Sequence, residues 1–130
     1  MLVNLLPEER ISNNRYLAKF ERYLNDYFSQ ELVDTGLPTV KQCGEALYLS
    51  AHYLSDLLKA ETGKNTKEHI DLFVIKMAKT KLHNQELTIS EVAYELGFDY
   101  PNLFSKFFKS KTGLSPSEYR NMDDSQWLIK

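Results

Sequence analysis

Lys106, Lys109 and Lys111 stand at three- and two-residue steps inside a stretch, Tyr100 to Ser117, that contains no acidic residue. Ammonium groups gathered on one element can neutralise phosphate even in a chain that is acidic overall. A solvated surface helix carries such runs too, so residue type alone leaves both readings open. Other chemistry has little to work with. The histidines, His52, His69 and His83, form no pair at metal-ligand spacing. The single cysteine, Cys43, has no partner for an internal disulfide and reads as a core residue beside Ala46 and Leu47. Neither a serine-centred triad nor a glycine-rich phosphate loop is recognisable. The expectation is a non-enzymatic chain with no cofactor and no metal.

Helices must position these lysines. Tyr16, Leu17, Phe20, Tyr23, Leu24, Tyr27 and Phe28 recur at three- and four-residue steps, which predicts an amphipathic helix running to about Leu32. Gly36 and Pro38 punctuate the chain, and a short helix follows over Val40 to Leu47. Ser50 suits the N-cap of a helix carrying Leu54, Leu57 and Leu58, which Gly63 ends. A longer pattern from Thr66 to His83 buries Ile70, Phe73, Val74, Met77 and Ala78; at the standard rise it spans about 26 Å. Thr88 opens a short helix with Ile89, Val92, Ala93 and Leu96 inward, closed by Gly97. Asn102 to Thr112 turns Phe104, Phe107 and Phe108 inward. Ser115, Pro116 and Glu118 read as N-cap, first-turn proline and capping-box acid of a last helix. No stretch alternates as a strand would, so the fold class is all-α, with about seven helices.

The pattern repeats. A shift of fifty positions places Ser55 on Ser105, Lys59 on Lys109, Thr62 on Thr112, Gly63 on Gly113 and Glu68 on Glu118. Leu54, Leu57 and Leu58 fall on Phe104, Phe107 and Phe108. In the preceding short helices the shift is forty-nine: Val40 meets Ile89, Gly44 meets Ala93 and Leu47 meets Leu96. Gly44 and Ala93 are small where two steeply crossing helices need close approach, the geometry of a helix-turn-helix. A pair of αα-hairpins in a generic bundle fits the same pattern.

The residues now carry a resemblance. Thr88-Ile89-Ser90-Glu91-Val92-Ala93-Tyr94-Glu95-Leu96-Gly97-Phe98, Leu103-Phe104-Ser105-Lys106-Phe107-Phe108-Lys109 and Thr112-Gly113-Leu114-Ser115-Pro116-Ser117-Glu118-Tyr119-Arg120 resemble the signature of the AraC/XylS family of bacterial transcription regulators. Leu49 to Lys59, with Thr62 and Gly63, is similar to that family's first helix-turn-helix. The resemblance covers roughly Pro38 to Met122. It implies two helix-turn-helix units, joined by one long linker helix, entering successive major grooves on one face of double-stranded DNA. Such grooves lie about 34 Å apart, a span that the linker helix and its end contacts could bridge.

By the resemblance, base-facing positions fall on His52, Ser55 and Asp56 in the first unit, and on Asn102, Ser105 and Lys106 in the second. Asp56 can accept from cytosine N4 but repels phosphate, so either the first unit reads sequence weakly or Asp56 discriminates against wrong bases. His52 either stacks on or donates to a base, or is an exposed helix-start residue. Asn suits adenine and Lys suits guanine. Lys59 and Lys109 belong to the same interface, with Lys109 and the helix starts on phosphate. Tyr100 and Pro101 stand where small polar residues are more usual, and Val74 stands where the family commonly has an arginine. RNA polymerase is a further partner that such a regulator implies. The alternative is a non-catalytic helical protein–protein interaction module using the same fold.

These readings divide the chain into a connector with an amphipathic helix (1–37), a DNA-binding domain (38–122) and a tail (123–130) in which Trp127 and Leu128 read as frayed. The domain comprises a first helix-turn-helix (40–63), the linker helix (66–83), a second helix-turn-helix (88–112) and a final helix (116–122). The helix within the connector would pack on the first unit or form a dimer contact. No ligand-sensing domain fits in its length, which points to the C-terminal piece of a longer regulator with an N-terminal sensor domain, or to a small stand-alone one. With 130 residues, 42% hydrophobic and only 5 Gly and 4 Pro, dominant disorder is excluded. No run is long and apolar enough for a membrane span, and the acidic start does not resemble a signal peptide, so the expected location is cytoplasmic. The net charge of −2 hides a division: residues 38–122 hold 11 basic and 10 acidic side chains, whereas residues 1–37 hold 4 and 6.

Overall fold

The computed structural model describes residues 7–32 and 35–122, with side chains from residue 15 onward. The expected tail, with Trp127 and Leu128, lies outside the described residues. Those described form seven α-helices: α1 (Pro7–Phe28), α2 (Val40–Ala46), α3 (Ala51–Thr62), α4 (Thr66–Leu82), α5 (Ile89–Glu95), α6 (Pro101–Thr112) and α7 (Pro116–Arg120). The all-α expectation holds. The first helix differs most, beginning at Pro7 rather than Tyr16 and ending at Phe28 rather than Leu32. Proline's fixed φ suits a first helical position. At the other end Ser29 folds its hydroxyl back onto the Asp26 carbonyl at 2.7 Å, one of the local bonds that replace the continuing ladder.

Among the described residues two compact units emerge, one from residues 7–30 and 38–73, the other from residues 31–32, 35–37 and 74–122. In the first, Phe20, Leu24 and Phe28 recur every four residues on α1 and are buried, as are Cys43, Leu47, Leu54, Leu57, Leu58 and Ile70. Phe28 stacks on Phe73 with ring centroids 4.9 Å apart. In the second, Ile75, Ala78 and Leu82 from α4 pack with Val92, Ala93 and Leu96 and with Phe104 and Phe108. Val74, where the resemblance implies an arginine, is fully buried. Phe107 departs from the expected core role. It is half-buried against the cluster, with the Lys111 ammonium 5.9 Å from its ring centroid.

Local hydrogen bonds explain why the helices start and stop where they do. Thr39 with Gln42, Thr88 with Glu91 and Ser115 with Glu118 form reciprocal capping boxes. Arg120 fastens α7 to the end of α4: its Nε donates to the Leu82 carbonyl at 2.8 Å and its Nη2 to Asn84 at 3.2 Å. Leu82 is the last residue of α4, where its carbonyl has no intrahelical donor, and Asn84 lies in the loop beyond, its carbonyl also accepting the Leu87 N–H at 3.1 Å.

Candidate nucleic-acid interface

Each unit builds its presenting helix in the same way. After α2, the Leu49 N–H donates to the Gly44 carbonyl at 2.9 Å; after α5, the Phe98 N–H donates to Ala93 at 3.0 Å. A Cβ on Gly44 would lie 2.7 Å from the Leu49 carbonyl oxygen, so the first turn closes only because that position lacks a side chain. The helices that follow, α3 and α6, both have 12 residues and both end on a left-handed glycine. Gly63 donates to Lys59 and Gly113 to Lys109, each at 2.8 Å. Thr62 and Thr112 bond the Leu58 and Phe108 carbonyls, and the Lys64 and Leu114 N–H groups return to the two hydroxyls. The repeat continues into the next caps. Asn65 and Glu68 exchange side-chain-to-backbone bonds at the start of α4, as Ser115 and Glu118 do at α7.

This scaffold turns Leu54, Leu57 and Leu58 inward from α3 and leaves His52, Asp56 and Lys59 exposed, with Ser55 half-buried. From α6, Phe104 and Phe108 turn inward; Asn102, Lys106 and Lys109 are exposed and Ser105 is half-buried. Each set of four expected residues therefore shares the outer side of one helix within its own unit. Their electrostatics differ. On α3 the His52 imidazole Nε2 lies 3.3 Å from Asp56 Oδ2. On α6 the acid-free stretch meets an acid in the fold, because Glu118 feels the field of Lys109. The Ser115 backbone N–H is the main cause that holds Glu118 below the usual carboxylate range, with the Ser115 hydroxyl and Lys109 adding to it. Glu91 is lowered in the same way by the Thr88 N–H.

The starts of the two presenting helices are unlike. Ser50 caps α3 by accepting the Tyr53 N–H at 3.0 Å. Tyr100 makes no side-chain cap, and Pro101 opens α6. Three features fall outside the sequence expectations. Tyr53 and Leu103, fifty positions apart, are 52% and 48% exposed beside the expected readers. Tyr48 sits at φ +59 and is 95% exposed, in the turn position that Gly97 fills at φ +88 in the second unit. The forty-nine-residue shift pairs these two and could have flagged the tyrosine.

Among the described residues no group of three or more His, Cys, Asp or Glu side chains could hold a metal ion, and no helix is long and apolar enough to cross a membrane. Burial pushes the Cys43 thiol up to about 11.

A short helix, a closed turn and a capped twelve-residue helix with one polar exposed side, present in each unit, define a helix-turn-helix protein. A family model described as a helix-turn-helix domain matches residues 43–122. The chain belongs to the AraC/XylS family of helix-turn-helix transcription regulators. It is 32% identical over 127 residues to the uncharacterized HTH-type transcriptional regulator YijO of Escherichia coli, covering 98% of this chain and 44% of that protein. The C-terminal domain of AraT, a response regulator from Geobacillus stearothermophilus, superposes with a TM-score of 0.71 at 29% identity, covering 84% of this chain and 88% of that one. The DNA-binding domain of the global transcriptional factor AdpA, solved in complex with a target DNA, shares the fold at a TM-score of 0.64 and 20% identity, covering 78% and 89%. The chain spans less than half the length of the curated relatives it matches first.

Proposed function

We propose that residues 38–122 are the DNA-binding domain of a sequence-specific transcription regulator, in which α3 and α6 each enter a major groove of double-stranded DNA. The duplicated helix-turn-helix carries this reading: two units repeat the same turn, cap and outward polar side, as two readers of one site would require. Successive grooves on one face lie about 34 Å apart. The α4 helix, 17 residues and about 26 Å long, joins the two helix-turn-helix units in the sequence. Because one chain supplies both readers, its site needs no symmetry.

Roles follow from chemistry. Asn102 suits adenine N6 and N7, Lys106 suits guanine O6 and N7, and Ser55 and Ser105 bond whichever edge they meet. Lys59 and Lys109 act on phosphate and fix register without reading sequence. The function involves no catalysis, takes place in the cytoplasm and engages RNA polymerase as a further partner. The additional length of the relatives is where a sensor domain would lie.

Selection from a pool of duplexes with a randomised core tests the proposal, followed by affinity measurements across a salt series. An enriched motif is expected, with binding that weakens by roughly 0.9 log units per phosphate neutralised for each tenfold rise in salt. Lys106→Ala should cost about 1–3 kcal/mol and relax one base pair of the motif, whereas Lys109→Ala should weaken all sequences alike and reduce the salt slope by about 1. No enrichment at low salt would overturn the proposal and favour a protein-interaction module.

A further inference from the structure

We infer that α3 reads a cytosine through Asp56, with His52 as the positioning residue that holds its carboxylate; this rests on the DNA-reading proposal above. The two side chains are 89% and 66% exposed, one helical turn apart, with Nε2 and Oδ2 3.3 Å from each other. Neither packs into the core formed by Leu54, Leu57 and Leu58 on the opposite side of the helix. An exposed pair of this kind contributes little to stability. What it does provide is a carboxylate with one oxygen, Oδ2, beside the imidazole on the exposed side of α3. Restricting that rotamer before association lowers the ordering cost on binding.

A carboxylate in a major groove is selective by sign. It repels phosphate, guanine O6 and thymine O4, and can accept only from the exocyclic amino groups of cytosine N4 and adenine N6. Adenine places its N7 acceptor beside N6, where it faces a carboxylate unfavourably. Cytosine places a C–H there. Fifty positions on, the second reader has Lys106 in place of Asp56. A lysine selects the opposite edge, the acceptors of guanine. The two readers therefore carry opposite base preferences at equivalent positions.

The test uses the whole 130-residue chain and the variants Asp56→Asn, Asp56→Ala, His52→Ala and His52→Gln, each taken through selection from randomised duplexes and read by sequencing. The wild-type motif should show cytosine at one position, at least about fivefold above other bases. Asp56→Asn should move that position to adenine, whose N6 and N7 match a carboxamide, and Asp56→Ala should flatten it. His52→Ala should reduce the cytosine preference several-fold, and His52→Gln, whose amide can still donate to the carboxylate, should restore it. Preferences from α6 and melting temperatures should not move. A cytosine retained in Asp56→Asn, or a profile unchanged in Asp56→Ala, would overturn the inference while leaving DNA reading intact. No motif with the wild-type chain would overturn both.

Discussion

Tyr48 and Gly97 occupy one turn position in the two copies, and exchanging their chemistry should move stability in opposite directions. Gly97 has φ +88, and a Cβ there would lie 2.9 Å from the Gly36 backbone and 3.2 Å from the Leu32 carbonyl oxygen. Gly97→Ala therefore meets left-handed strain of roughly 1–2 kcal/mol and an overpacking penalty of roughly 1–3 kcal/mol. Restricting the unfolded chain offsets about 0.4–1 kcal/mol of that, for a net loss of about 2–4 kcal/mol. Tyr48 is already strained at φ +59, yet its 95% exposed side chain loses almost no packing on truncation. Relief of strain, less the added freedom of an unfolded glycine, leaves Tyr48→Gly about 0.5–1 kcal/mol more stable. Urea unfolding followed by far-ultraviolet circular dichroism reads both. With a slope of about 1–3 kcal/mol/M, the Gly97→Ala midpoint should fall by about 1–2 M and the Tyr48→Gly midpoint should rise by a few tenths. A Gly97→Ala midpoint within 0.3 M of wild type, on the order of the noise of such curves, would refute the reasoning, as would a lower midpoint for Tyr48→Gly.

Burial lowers the His69 pKa, and its Nε2 lies 2.8 Å from the Thr62 hydroxyl, with the Phe20 ring edge-on at 5.7 Å. Below its ordinary pKa of about 6.5 the unfolded chain binds the proton that the folded chain resists, so stability should fall as pH drops from 7 towards 5; His69→Gln should flatten that part of the urea-midpoint profile. Cys43, fully buried with its thiol raised to about 11, should react with a disulfide reagent at pH 8 only as fast as the protein opens, and at once in denaturant. Arg120→Lys cannot reproduce the two bonds to the Leu82 and Asn84 carbonyls and should lower thermal stability by about 1–2 kcal/mol. An unchanged melting temperature would remove Arg120 from the fold's supports.

Much of the scaffold is written in local residue pairs. Ser50, Gly63, Thr88, Gly97, Ser115 and Glu118 cap or turn where their types dictate, and the fifty-residue shift reappears as matching bonds at Thr62 and Thr112. Features that depend on contacts distant in sequence were not legible. The effect of Lys109 on Glu118 and the Arg120 bonds to α4 arise only when separate segments meet. Phe107 follows the inward spacing of Phe104 and Phe108, yet it lies at the margin of the apolar stripe and stays half-buried. Tyr48 defeats residue-type reasoning because a bulky side chain is a poor choice for φ +59, and only its repeat partner Gly97 reveals the turn. The eight expected interface residues lie on the outer sides of their helices, since an apolar period of 3.6 also fixes the opposite face. The His52–Asp56 pairing needed the structure to give it a distance.

Hydroxyl-radical footprinting of the chain on its selected duplex tests the two-reader account most directly. The account predicts two protected segments on one face, centred about 10–10.5 base pairs apart, with Lys106→Ala weakening one and Asp56→Ala altering the other. A single protected segment, or two that respond together to either substitution, would contradict it.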